Sequence, residues 1–128
     1  MRCLNVVAIP AGSSAGGYTS DPIAADQFTR IGAQGVLAGG VGVTGVLKIQ
    51  GSNDKPPSGQ TIATYRPTNW SDITTATISG VGIAANGANG MIVANEICCE
   101  WVRIVWVLTS ATTVGTVKGT VVMQSTGR

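Results

Sequence analysis

The 128-residue sequence contains no histidine, a single phenylalanine, and charged residues at only 11% of its positions. The missing histidine excludes Ser-His-Asp and Cys-His catalytic arrangements and removes the commonest general base near neutral pH. It also deprives a zinc site of its usual nitrogen ligands. With Cys3, Cys98 and Cys99 as the only thiols, neither a metal centre nor a disulfide framework is expected, and the cysteines read as small buried thiols. Reduced cysteines suit folding in a reducing cytoplasm. The scarcity of charge has a different consequence. With 44% apolar residues and a formal net charge of +2, the chain collapses or associates before it stays solvated, which excludes disorder. The folded surface is short of ionic groups, a composition suited to being covered by further copies of the chain or by a larger partner.

The eight basic residues (Arg2, Arg30, Lys48, Lys55, Arg66, Arg103, Lys118 and Arg128) are scattered with no two adjacent. Nucleic-acid binding by phosphate neutralisation needs clustered cations, so none is expected. The longest low-charge stretch, 31–47, is broken by glycines and by Gln34 and Thr44 and makes a poor membrane span. The apolar run from Val6 to Ile9 ends at Pro10, too short for a secretory signal. The length fits one domain, and such a chain buries roughly two-thirds of its unfolded surface, enough for a core with no cofactor.

Helical periodicity is nearly absent, whereas Val, Ile and Thr are frequent and alternate with polar residues. The pattern predicts strands at 4–9, 28–37, 43–50, 72–81, 91–97, 100–109 and 114–124. In 100–109, Val102, Ile104, Trp106 and Leu108 fall on one face and Trp101, Arg103, Val105 and Val107 on the other, which marks a central strand. The turn at 110–113 makes the last two strands read as a C-terminal hairpin. Residues 11–18, rich in Gly and Ser, read either as a surface loop or as a linker carrying an N-terminal strand or arm (residues 1–20) to another subunit. The stretch 55–69, with Pro56, Pro57, Gly59 and Pro67, is expected as an exposed excursion holding a short strand at 61–65, and the Asn-Gly pairs of 85–90 as a tight turn. Together these predict a single all-β domain, an antiparallel β-sandwich of jelly-roll kind with about seven or eight strands.

Several motifs bear on chemistry. Residues 40–45 match G-x-G-x-x-G, but the following residues alternate like a strand, so no helix N-terminus faces a phosphate; 80–85 is a near match with the same defect. Asp54 and Asp72 approach each other if the excursion folds back, and two carboxylates about 5 to 10 Å apart are the minimum for glycoside hydrolysis. Turn and capping roles explain both more simply. Glu100 is expected to pair with Arg103. Tyr65, Trp70, Trp101 and Trp106 offer either an aromatic platform for a sugar ring or packing anchors.

Two stretches carry a resemblance: Gly51-Ser52-Asn53-Asp54 leading to Asn69-Trp70-Ser71-Asp72-Ile73, and Trp101-Val102-Arg103-Ile104 leading to Gly115-Thr116-Val117. Together they resemble tailed-bacteriophage virion proteins, in which a strand ending in G-S-N-D precedes N-W-x-x-I and a later W-V-R strand belongs to a small β-sandwich. The first pattern is also similar to discoidin-type carbohydrate-binding modules, and the insertion of 55–68 departs from both. The resemblance implies a non-enzymatic capsid decoration or cement protein, made in the host cytoplasm and built into the virion, with the major capsid protein as partner and a homo-oligomeric state. A tail-associated structural protein and a carbohydrate-binding module using Asp54, Tyr65 and Trp70 are the alternatives. The candidate contact surface is Val6, Ile9, Lys55, Tyr65, Arg66, Trp70 and Arg103.

Overall fold

The computed structural model describes residues 3–61, 64–80 and 89–125. The chain is all-β, 64% strand, with no helix among the described residues. In order, the strands are β1 (Cys3–Ser14), β2 (Gly17–Thr19), β3 (Ile23–Ala24), β4 (Arg30–Ala38), β5 (Val43–Ser52), β6 (Ser71–Gly80), β7 (Asn89–Ala94), β8 (Trp101–Ser110) and β9 (Thr116–Gln124). They form two antiparallel sheets, ordered β1-β9-β4-β7 and β2-β8-β5-β6, with β3 also paired along β8. The arrangement is compatible with a β-sandwich.

The strands outnumber the seven or eight expected because 17–24 supplies two short pieces of one sheet edge. Pro22, which lacks an N–H, sits between them. At the break the Ser20 N–H donates to the Ile104 carbonyl at 2.9 Å, and the Ile104 N–H donates to Ser20 Oγ at 2.9 Å. A side-chain hydroxyl thus continues the ladder where backbone pairing lapses.

The expected C-terminal hairpin is not formed: β8 and β9 are consecutive but belong to different sheets. Both edges of each strand are taken by other partners, β8 by β2, β3 and β5, and β9 by β1 and β4. β8 turns Val102, Ile104 and Trp106 inward, β9 turns Val117, Val121 and Met123 inward, and all six are at most 1% exposed. The two strands thus contribute to one core from opposite sheets.

Missing side chains set the fit between the sheets. Gly119, Gly35 and Gly90 are register partners across β9, β4 and β7. A Cβ on Gly119 would lie 2.8 Å from Ile104 Cδ1, on Gly35 3.1 Å from Ile78 Cδ1, and on Gly90 2.6 Å from Ile78 Cγ1. The row is a trough that receives the large side chains of the facing sheet. On that facing sheet, Gly45 lies beneath the Trp106 indole in the same way.

Residues 11–18 are neither a linker nor a loose loop. β1 runs on to Ser14, and Ala15 is fully buried, its N–H donating to the Gly115 carbonyl at 3.2 Å and its carbonyl accepting Trp106 Nε1–H at 2.7 Å. The segment is the corner where the chain leaves one sheet for the other. The N-terminal strand pairs with β9 of its own chain. At 61–65, the Thr64 and Tyr65 amides both donate to the Thr61 carbonyl, a turn where a strand was expected; residues 62 and 63 lie outside the described residues. The tight turn expected at 85–90 falls largely on residues outside the described ones, as do positions 81–85 of the second glycine motif. β7 stops at Ala94, short of the expected end at Ile97, and Cys98 and Cys99 lie in the connection to β8.

Candidate interaction surfaces

The residues of the G-S-N-D, N-W and W-V-R motifs assemble at one end of the β2-β8-β5-β6 sheet. Asp54 leaves the end of β5 and closes the excursion on itself: its Oδ2 accepts the Thr68 and Asn69 backbone N–H groups at 2.8 and 2.9 Å, and its Oδ1 accepts Asn69 Nδ2 at 3.1 Å. These donors, the Asn69 amide first, hold the Asp54 carboxyl below the ordinary 3.8. Ser52 and Asn53 fasten the other side. The Glu100 N–H is shared between the Ser52 carbonyl at 3.1 Å and Asn53 Oδ1 at 3.0 Å, while Ser52 Oγ accepts the Asp54 N–H at 3.2 Å. At Gly51 a Cβ would lie 2.8 Å from Ile73 Cδ1, the tip of a side chain 38% exposed.

Alternation turns Trp101 away from the inter-sheet core, yet it is only 6% exposed. The folded-back excursion covers it: Tyr65 leans on its ring with centroids 6.3 Å apart, and Trp101 Nε1–H donates to the Asp54 carbonyl at 3.1 Å. Next along β8, the Arg103 guanidinium stacks 4.3 Å from the Trp70 ring centroid, and Arg103 Nε donates to Gln50 Oε1 at 2.8 Å. Gln50 in turn donates to Asp72 Oδ1 at 2.8 Å, and Lys48 pairs with Asp72 Oδ2 at 3.3 Å. The Gln50 bond, ahead of the lysine, lowers the Asp72 carboxyl. Trp70 Nε1–H donates to the Pro67 carbonyl at 3.0 Å.

Of the contact residues expected from sequence, Lys55, Tyr65, Trp70 and Arg103 therefore come together in one knot, with Arg66 on the excursion beside them, its Nη1 donating to the Tyr65 carbonyl at 3.1 Å. Glu100 pairs with Lys55 at 3.7 Å, where Arg103 was expected, because Arg103 is already engaged by Gln50 and Trp70. Val6 and Ile9 lie far along the other sheet. Ile9 is 0% exposed and belongs to the core, which removes it from any contact surface; Val6 is half-buried opposite Val121.

The apolar residue that β1 does present is Val7, and it belongs to a surface that sequence reasoning missed. The outer face of the β1-β9-β4-β7 sheet carries Val7, Val122, Met91 and Val93, exposed by 53, 39, 64 and 53%. Register places them in adjacent rows of the same face, Val7–Thr120–Gln34–Met91 and Asn5–Val122–Gly32–Val93, so β1, β9 and β7 supply the apolar residues and β4 supplies Gly32 between them. The exposed apolar residue on each edge and the small Gly32 at the centre give the face a shallow relief.

At the end of the molecule, the connection from β7 to β8 borders two open hollows of about 600 and 510 Å³ that share Asn53, Glu96, Ile97, Cys98 and Cys99. Cys3 and Cys98 are exposed; Cys99 is half-buried, and burial pushes its thiol up. No cluster of three or more potential metal ligands occurs among the described residues, and among them no helix is long and apolar enough to cross a membrane. No protein-family model matches the chain, and a search of curated proteins gives no match.

Proposed function

We propose that the chain is a non-enzymatic structural subunit of a tailed-bacteriophage particle: a capsid decoration or cement protein that seats on the major capsid protein, associates with further copies of itself and stabilises the head. One observation carries the reading. Four large apolar side chains, each 39–64% exposed, stand on the outer face of one sheet, from β1, β9 and β7 around Gly32 of β4, in a chain with charge at only 11% of positions. Such a face is costly in water and favourable against a partner. Cementing requires no more than this. An interface of about 1,600 Å² is standard for a stable complex, and its repetition over a shell multiplies a modest affinity.

The strand orders support the jelly-roll form of the sandwich. With β2 and β3 taken as one broken edge, the two four-strand sheets β1-β9-β4-β7 and β2-β8-β5-β6 are those of two interleaved Greek keys. That architecture recurs in viral capsid proteins and also in lectins, so it favours the reading by analogy only. The glycan alternative meets a specific obstacle. The Asp54 carboxylate is engaged by Thr68 and Asn69, the Trp70 N–H by Pro67 and one face of its ring by Arg103. A hydrolytic alternative needs one carboxyl held protonated, whereas Asp54 and Asp72 are both shifted the other way.

The test is fractionation of particles from infected cells on a density gradient, with heads separated from tails. The proposal expects the chain at near-stoichiometric copy number with the heads. Recovery with tails moves it to a tail part, and recovery only as unbound protein refutes the virion role.

A further inference from the structure

We infer that the outer face of the β1-β9-β4-β7 sheet takes one apolar side chain of a foreign protein into the hollow over Gly32, with carboxylates of that protein meeting Arg30 and Lys118. The inference deepens the docking role proposed above and rests on it.

Gly32 lies at the centre of the patch and is shared by two adjoining hollows of about 180 and 130 Å³, the first reaching Arg30, Val93 and Val122, the second Met91 and Thr120. Both fall below the ~300 Å³ at which small-molecule sites begin, and suit a single aliphatic side chain instead. The fold does not require the glycine. Its backbone φ is not in the left-handed region, and a Cβ on it would meet only the Ile92 carbonyl at 3.8 Å and Val93 Cγ2 at 3.9 Å, ordinary contact distances. Gly35, three residues on, is the opposite case, with Ile78 at 3.1 Å and Leu47 at 3.3 Å. A strand-interior glycine that packing does not explain is a mark of close approach by something outside.

Charge identifies the occupant. The strands β1, β4, β7 and β9 carry Arg30 and Lys118 and no Asp or Glu; the acidic residues Asp21, Asp26, Asp54, Asp72, Glu96 and Glu100 all lie elsewhere. Arg30 sits two residues from Gly32 and Lys118 is the register partner of Val36, so the cations flank the hollow along the strands. Among the described residues neither forms an ion pair; the Arg30 guanidinium donates to Asn95 Oδ1 at 3.4 Å. A second copy offering the same face would set cation against cation. A different protein, presenting an apolar knob flanked by carboxylates, fits both the hollow and its border.

The experiment adds purified chain to particles assembled without it and measures attachment for wild type, Gly32→Val, Arg30→Glu and, as a control away from both candidate surfaces, Thr19→Ala, an exposed position on β2. Melting temperature and light-scattering mass are recorded for each. The expected result is a Gly32→Val variant that melts at or above the wild-type temperature yet attaches at least tenfold more weakly. Arg30→Glu attaches more weakly too, the wild-type attachment falls with added salt, and Thr19→Ala is unchanged. Full attachment by Gly32→Val overturns the inference while leaving the docking role intact. A wild type that attaches to no particle removes the docking role itself. If Gly32→Val instead turns a wild-type multimer into a monomer, the occupant is a second copy and the inference is wrong.

Discussion

Alanine at position 45 would place a methyl carbon 2.4 and 2.5 Å from two ring carbons of Trp106 and 2.5 Å from the Val107 carbonyl oxygen. Neither neighbour yields easily. The carbonyl belongs to the backbone of central strand β8, and the indole is 1% exposed with its N–H tied to the Ala15 carbonyl at 2.7 Å. Overpacking of this kind costs ~1–3 kcal/mol. If the ring slides away to make room, the buried indole N–H and its acceptor separate, at a further ~1–3 kcal/mol. A central figure of about 3 kcal/mol corresponds, at about 4 °C per kcal/mol for a domain near this size, to a melting temperature lower by about 12 °C. Thermal melts followed by far-ultraviolet circular dichroism and tryptophan fluorescence measure it, with Gly32→Ala as the comparison, where the nearest atom is 3.8 Å away and no loss is expected. A Gly45→Ala melt within about 2 °C of wild type, or a larger loss at position 32, would refute the account of how the sheets fit.

Two further outcomes follow from the end knot. Because backbone N–H groups of Asn69 and Thr68 lower the folded-state Asp54 pKa, the clamp is fully present above the ordinary aspartate value and is lost as pH falls through the lowered one. The amide resonances of Thr68 and Asn69 should therefore titrate together with a midpoint below 3.8; a midpoint at or above 3.8 contradicts the clamp. Thiol alkylation near pH 8 should label Cys3 and Cys98 before Cys99, whose half-buried thiol is shifted upward, and equal rates for all three would count against the placement of the β7–β8 connection.

Much of the strand pattern was legible in the sequence. The alternation at 100–109 gave both β8 and its inward face, and the residues after Gly45 gave a strand, which disposed of the nucleotide-loop reading. What failed was connectivity. A short turn between two alternating strands looks the same locally whether the strands become neighbours in one sheet or face each other across a core, so sequence alone makes β8 and β9 look like a hairpin. The glycine and serine of 11–18 read as slack because burial of Ala15 depends on Gly115 and Trp106, both about a hundred residues away in sequence. The motif residues 51–54, 69–70 and 101–103 do meet in the structure, but their partners lie 14 to 53 residues apart, so spacing could not distinguish a contact loop from a self-closing knot. The outer-face patch was missed for a similar reason. Valine occurs on both faces of β1 and β9, and only the register decides that Val7 and Val122 point out while Val121 points in.

Methionine oxidation tests directly the proposed covering of the outer face of the β1-β9-β4-β7 sheet in an assembled particle. Met91 lies on that face at 64% exposure, and Met123 is 0% exposed in the core and serves as an internal reference. Brief peroxide treatment followed by mass spectrometry should oxidise Met91 readily in the isolated chain and at least tenfold more slowly in intact particles, with Met123 slow in both. Equal oxidation of Met91 in the two samples would mean that the face stays in water, and would contradict the account.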